Sequence, residues 1–91
     1  MLRCQGIQCR AEEVQADGRA DIIAEHAVGV YIFELKVNES AEEALAQVKR
    51  KRYEAPYLAG TRPIWLVGLN FDRATHHLAD WKLEQVSPER A

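Results

Sequence analysis

Hydrophobic and polar positions alternate over much of the first half of the chain, a pattern typical of half-buried strands. The first alternating stretch covers about 7–12. Two further runs, at about 19–25 and 30–37, predict a second and a third strand, because strand side chains point to opposite faces with period 2. The third run is apolar on both faces except at Glu34 and Lys36. A strand that is so apolar is predicted to lie in the centre of its sheet.

A helix and two more strands follow. Ser40 and Glu43 form a capping box, and apolar residues then recur at helical spacing to about residue 53 or 54. The continuous apolar run at 64–69 is typical of a buried parallel strand, and 77–84 alternates as a last strand. The predicted order is therefore β-β-β-α-β-β, an α/β fold with one mixed sheet.

The single helix can cover only one face of this sheet. Because the central strands are apolar on both faces, the second face needs a cover of its own. We predict either a homodimer that buries this face or a missing upstream domain of a larger protein that covers it.

Composition sets limits on the setting and the partners. The 91 residues predict a single domain, 1–91, with a core at about 6–84 and a polar tail at 85–91. No apolar run approaches the ~18 residues of a membrane span, and the N-terminus does not resemble a signal peptide, so a cytoplasmic setting and no membrane contact are expected. The net charge of −2 gives no global attraction to nucleic acid, although positive charge is concentrated at 49–52.

Cys4 and Cys9 are the two cysteines of the chain. A structural zinc site needs about four ligands at suitable spacing, which the sequence does not offer. Both are expected to be reduced thiols, with Cys9 buried on the first strand.

Asp21, Glu34 and Lys36 place charge where strands normally bury carbon. If the second and third predicted strands form a hairpin centred between residues 27 and 28, paired positions sum to 55, and Asp21 lies opposite Glu34. Directly opposed Cβ atoms are about 4.5–5.5 Å apart. Two carboxylates at that distance repel each other, so the pair suggests a bound divalent cation.

A second interpretation is a solvated charge ladder, with Lys36 merely pairing with Glu34. Ile23 and Ile32 would share the face of the carboxylates, which argues against full exposure. In the same register Arg19 would lie opposite Lys36. Two adjacent cations are stable only with an anion between them, which fits a phosphate pocket.

Several of these stretches together resemble the PD-(D/E)XK nuclease superfamily. They are GRAD at 18–21, YIFELK at 31–36, AEEALAQ at 41–47 and LVGLNFD at 66–72. The likeness is greatest to the nuclease-like domain at the C-terminus of many prokaryotic AAA-ATPase-like proteins. It implies a restriction-endonuclease-like fold and a nuclease that uses Mg²⁺, with Mn²⁺ as a substitute.

The resemblance also implies roles for individual residues. The side chains of Asp21 and Glu34 and the carbonyl of Leu35 match the metal ligands of the superfamily. Lys36 matches the lysine that orients or activates the attacking water, and Gln47 matches a glutamine of the helix in this clade.

One part of the superfamily pattern differs in this chain. The usual core helix before the first strand is missing or reduced to 1–3, and with it a further glutamate. Glu12 or Glu13 could replace that glutamate if the first strand directs it inward. Tyr53 and Tyr57 are interpreted as packing residues.

Arg19, Lys49, Lys51 and Arg52 are the candidate contacts to a DNA backbone. The alternative for the run at 49–52 is a solvated helix end that interacts with the helix dipole.

Three hypotheses follow from the sequence. The first is a Mg²⁺-dependent nuclease that hydrolyses DNA phosphodiester bonds. The second is a catalytically incomplete module that binds DNA or takes part in protein assembly, linked to an AAA-type ATPase. The third is a fragment whose activity depends on residues outside this chain.

Overall fold

Six strands form one mixed sheet with a single α-helix on one face. The computed structural model describes residues 2–4 and 6–88, with side chains from residue 6 onward. Adjacent strands pair in chain order, antiparallel except for the parallel β4–β5 pair. The elements are β1 Leu2–Cys4, β2 Ile7–Val14, β3 Ala20–His26, β4 Gly29–Val37, α1 Ala41–Lys51, β5 Ile64–Asp72 and β6 His77–Val86, with a 3-10 turn at Ala55–Tyr57.

The predicted fold class is confirmed, with corrections near the ends of elements. The predicted remnant of a helix at 1–3 is wrong for residues 2 and 3, because they belong to the short strand β1; Met1 lies outside the described residues. Cys9 is half-buried rather than buried, since its strand lies near the edge of the sheet. Helix α1 ends at Lys51, where Arg52 takes a left-handed conformation with φ 58°. The predicted tail at 85–91 is partly strand, and 89–91 lie outside the described residues.

The start of α1 is fixed by two side chains. Ser40 Oγ accepts a hydrogen bond from Glu43 N at 3.0 Å, as the capping box predicts. Asp80, which lies on β6, accepts a second hydrogen bond through its Oδ2 from Ala41 N at 3.0 Å. These bonds satisfy helix N–H groups that have no partner within the helix. They also fix α1 over β5 and β6.

The core lies between α1 and the sheet. Val30, Ile32, Ile64, Leu66 and Val48 are almost completely buried. Full burial of a side chain of this size stabilises the folded state by about 1.5–3 kcal/mol. The core thus holds α1 against the centre of the sheet, beside the charged residues of β3 and β4.

The opposite face of the sheet is apolar and carries no second layer within the described residues. Its large side chains are half-buried by one another in the centre, and Trp81 and Leu83 on β6 are 61% and 49% exposed. The molecule is only 18 Å thick, consistent with one sheet and one helix layer. In the described part of the chain no helix is long and apolar enough to cross a membrane.

The Glu25 carboxylate connects β3 to the segment after α1 by hydrogen bonds. It accepts hydrogen bonds from Arg10 at 2.8 Å, Tyr57 at 3.1 Å and Arg62 at 3.3 Å. The hydrogen bond from Arg10 lowers the pKa of Glu25 below its usual 4.5 despite partial burial. Glu25 therefore stabilises the fold above its normal pKa, and this contribution is lost as the pH falls through the lowered value.

We expect Glu25→Gln to reduce the free energy of unfolding by about 1 kcal/mol near neutral pH, because the arginines are partly solvated. In acid the difference from wild type should shrink as Glu25 becomes protonated. Urea denaturation at neutral pH and at about pH 3 would measure both effects. A deficit that stays the same at both pH values would contradict this role of the carboxylate.

Candidate metal centre

The pairing of β3 with β4 brings the two predicted carboxylates together. Asp21 is paired with Glu34, and Ile23 with Ile32, so the predicted register is confirmed. Asp21, Glu34 and Lys36 are only 2%, 3% and 5% exposed. Charges buried to this extent are not a solvated ladder.

The ammonium of Lys51 lies between the carboxylates. Lys51 Nζ is 2.6 Å from Asp21 Oδ2, 3.4 Å from Glu34 Oε1 and 3.5 Å from Glu13 Oε2. Tyr53 Oη also donates a hydrogen bond to Asp21 Oδ2, at 2.9 Å. The predicted DNA contact Lys51 is therefore turned inward, because its side chain is the nearest counter-charge to a buried acidic pair.

Burial and mutual repulsion change the pKa values in this cluster. Burial and the neighbouring Asp21 carboxylate together raise the pKa of Glu34 to about 7, although Lys51 opposes the shift. Burial acts in the same sense on Asp21, but hydrogen bonds from Glu34, Lys51 and Tyr53 outweigh it and lower the pKa of Asp21. Burial and the hydrogen bond to Asp21 raise the pKa of Tyr53 to about 12. Burial opposes the charge on Lys51, yet its bonds to the carboxylates raise the Lys51 pKa.

The donor set suits a hard divalent cation, although Lys51 now holds that place. Glu34 Oε1 is buried, accepts no hydrogen bond and is contacted by Lys51 Nζ only at 3.4 Å, so this oxygen is incompletely compensated. Among the described residues, no group of three or more His, Cys, Asp or Glu residues is arranged to hold a metal. The remaining space is about 20 Å³, enough for about one water molecule. Oxygen ligands of this kind fit Mg²⁺ once the ammonium withdraws.

Lys36 and Arg19 approach the same carboxylate. Lys36 Nζ is 3.8 Å from Glu39 Oε1, and Arg19 Nη1 is 3.9 Å from Glu39 Oε2. The predicted pairing of Arg19 with Lys36 lies just outside the ladder, because β3 begins at Ala20. The anion expected between the two cations is thus the Glu39 side chain. Arg19 Nε is also ion-paired, at 2.8 Å, with Asp17 Oδ2.

The other predicted site residues are divided between the pocket and the surface. Gln47 lines the pocket with Asp21 and Glu34. Leu35 is paired with Ala20 and Leu69 in the centre of the sheet. Two predicted DNA contacts form ion pairs, exposed Lys49 with Glu84 at 3.0 Å and exposed Arg52 with the buried Glu54 at 3.0 Å.

Sequence reasoning missed the contact of Tyr53 with the site and did not choose between Glu12 and Glu13. The β2–β3 ladder is shifted between Ala11 and Glu13, and Glu13 pairs with Asp21. A β-bulge of this kind re-aims a side chain next to a functional site. The spacing of Gln47 and Lys51, one helical turn apart, was a usable signal that they share a face.

Comparisons with known proteins agree with this geometry. A family model described as the PD-(D/E)XK nuclease superfamily matches residues 1–81. An "Uncharacterized protein in vnfD 5'region" of Azotobacter chroococcum mcd 1 is 35% identical over 83 residues, which are 89% of this chain and 16% of that protein. The chain therefore spans about a sixth of the length of this relative. No solved structure matches the chain.

Proposed function

Because this chain belongs to the PD-(D/E)XK nuclease superfamily, we propose that it hydrolyses DNA phosphodiester bonds with Mg²⁺, and that Mn²⁺ can substitute. The burial of Asp21, Glu34 and Lys36 in one pocket at the sheet centre is the main observation behind this proposal. Burying three charged side chains costs several kcal/mol unless they are paired or serve a function.

Asp21 and Glu34, with the Leu35 carbonyl, would hold the metal ion. When bound, such an ion polarises the phosphoryl group and lowers the pKa of water. Lys36 carries an ammonium that would hold the attacking water or the developing charge on the phosphate. Gln47, on the pocket wall, would orient the water or the substrate.

Arg19 is the strongest candidate for a phosphate contact. It shares the carboxylate of Glu39 with Lys36 at long distances of 3.9 and 3.8 Å. An incoming phosphate can therefore displace Glu39 at low cost. Lys49 would contact the DNA backbone by exchanging a surface ion pair that contributes little to stability, and Arg52 would do so through its exposed guanidinium.

A non-catalytic module is the second candidate. The insertion of Lys51 between the carboxylates favours it, since an ammonium in that position neutralises the site without a metal. The match to one sixth of a longer relative is compatible with a module attached to a further domain such as an AAA-type ATPase. In either case the single domain over 1–91 and the cytoplasmic setting stay predictions.

Supercoiled plasmid incubated with Mg²⁺ or Mn²⁺ tests the nuclease. Nicked or linear products that depend on metal are expected. Plasmid retained on the protein but left intact with either metal would favour the module.

We also propose that a second copy of the chain covers the apolar face of the sheet. Strands β3–β6 present roughly 600 Å² of face, given strand spacing of about 4.8 Å and a rise of about 3.3 Å per residue. Two copies would bury roughly 1,200 Å², the lower limit of a stable interface. The face carries Trp65, Leu69, Phe33 and Trp81 and is uncharged in its centre, so two identical copies meet without repulsion.

Light scattering after gel filtration should give twice the mass of the chain. Leu83→Glu places a charge on this face and should convert the dimer to a monomer at the same concentration. Lys82→Glu, on the other face of the same strand, is the matched control and should leave the dimer intact. A well-folded monomeric wild type would contradict the dimer and leave the face for another polypeptide.

A further inference from the structure

We propose that Lys51 is a built-in counter-ion that occupies the place of the divalent cation, and that Glu13 becomes a third carboxylate ligand when Lys51 withdraws. This inference rests on the proposed metal site and adds two residues to it. Neither residue belongs to the Asp21, Glu34 and Lys36 set.

The contacts of Lys51 are those expected of a bound cation. Its Nζ is within 3.5 Å of carboxylate oxygens from three successive strands, β2, β3 and β4. Those oxygens belong to Glu13, Asp21 and Glu34, which are cross-strand neighbours in the order given. The same hard oxygen donors suit a divalent cation.

Little space remains beside the ammonium for a second, hydrated cation. About 20 Å³ is free beside Lys51, which holds about one water molecule. Mg²⁺ normally keeps several of its waters and carries two charges, so it needs more space and would repel an ammonium at contact distance. Metal entry therefore requires Lys51 to leave.

Lys51 is in a position from which it can leave. It is the last residue of α1, and its side chain is 23% exposed. A four-carbon stem can swing toward solvent by rotation about its χ angles. There the released ammonium would lie near an incoming phosphate, which reconciles its present inward position with the predicted DNA contact.

Glu13 is placed by a local irregularity of the backbone. The bulge after Ala11 pairs Glu13 with Asp21, whereas a regular ladder would have paired Glu12 there. Its side chain is 49% exposed, and its ion-pair partner among the described residues is Lys51. The buried Glu34 Oε1 accepts no hydrogen bond and has only a long contact of 3.4 Å with Lys51 Nζ, so Lys51 does not saturate the cluster.

Titration calorimetry of Mn²⁺ binding, in the absence of DNA, tests the inference. If the ammonium occupies the carboxylates about 90–99% of the time, it raises the apparent dissociation constant about 10- to 100-fold. Lys51→Met should therefore tighten Mn²⁺ binding by at least about tenfold. Lys49→Met removes the same charge from the same helix end and should change binding by less than about twofold, since its partner Glu84 lies on β6.

Glu13→Gln should weaken Mn²⁺ binding by about tenfold, the cost of one lost ligand charge. Glu12→Gln, one residue away and paired with Arg10, should leave it unchanged. Unaltered affinity in both Lys51→Met and Glu13→Gln would overturn the inference, provided that Asp21→Asn abolishes binding. If Asp21→Asn binds Mn²⁺ like wild type, the metal site itself fails.

Wild-type protein offers a test that does not depend on the folding of variants. Without metal, the ammonium protons of Lys51 should exchange slowly with water and give a visible NMR signal, because they are hydrogen-bonded to buried carboxylates. Addition of Mg²⁺ should remove or shift this signal and leave that of Lys49 in place. Persistence of the Lys51 signal at saturating Mg²⁺ would contradict the displacement.

Discussion

Asp21→Asn is expected to reduce metal-dependent DNA cleavage by at least about 10³-fold, because the amide removes a charged ligand from the buried site. Asparagine has the size of aspartate, and it can still bond with Lys51 and Tyr53 through its amide oxygen, so the fold should persist. The rate of plasmid nicking and Mn²⁺ affinity are the two measurements. Both should fall together in this variant.

Lys36→Ala separates chemistry from metal binding. Its ammonium contacts Glu39 rather than the paired carboxylates, so Mn²⁺ affinity should change little while cleavage falls by about 10²–10³-fold. Glu42→Gln, an exposed acidic residue of α1, is the control for a simple change of charge. Cleavage that survives both Asp21→Asn and Lys36→Ala would mean that these residues do not form the catalytic site.

The pairing of Asp21 with Glu34 was predictable because two local rules determine it. Period-2 alternation defines the faces of β3 and β4, and the short connection between His26 and Gly29 fixes the register. One residue of slip would have moved Ile23 and Ile32 out of the core. The hydrophobic pattern therefore specified the location of the charged pair as firmly as it specified the core.

The place of Glu13 was not predictable from alternation. Paired positions of β2 and β3 sum to 33 before the irregularity and to 34 after it. Strict alternation would have placed Glu12 opposite Asp21. The bulge depends on how β2 fits the twisted edge of the sheet, and no turn or glycine in 7–14 marks it.

The inward position of Lys51 was not predicted, because the four basic residues at 49–52 were considered together, as DNA contacts or as a solvated helix end. Consecutive residues of an α-helix are about 100° apart, so they cannot share a partner. Gln47 and Lys51 face the sheet, whereas Lys49 meets β6. The side of α1 on which a basic residue lies therefore decides whether it reaches the carboxylates or stays at the surface.

Gly68→Ala is expected to destabilise the protein strongly. A Cβ at Gly68 would lie 2.5 Å from Ala41 O and 2.7 Å from Leu45 N, both backbone atoms of α1. No side-chain rotation relieves this overlap, so α1 must move away from β5. We expect a loss of at least about 3 kcal/mol in unfolding free energy, a large part of the 5–15 kcal/mol typical of a domain.

Urea denaturation of Gly68→Ala and of Gly60→Ala would measure the difference. A Cβ at Gly60 would lie 3.5 Å from Tyr57 O, an ordinary contact, so that change should be within about 0.5 kcal/mol. Equal stability of the two variants would contradict the close approach of α1 to β5.

The same close approach determines the geometry of the site. Gly68 is the parallel partner of Glu34, and α1 carries Lys51 and Gln47 across the same region of the sheet. If Gly68→Ala lifts the helix, the ammonium of Lys51 should move away from Asp21, and Mn²⁺ should then compete with a weaker counter-ion. In whatever fraction of Gly68→Ala remains folded, Mn²⁺ binding should be tighter than in wild type although the protein is less stable, because the missing Cβ at residue 68 sets how near α1 holds its lysine to the carboxylates.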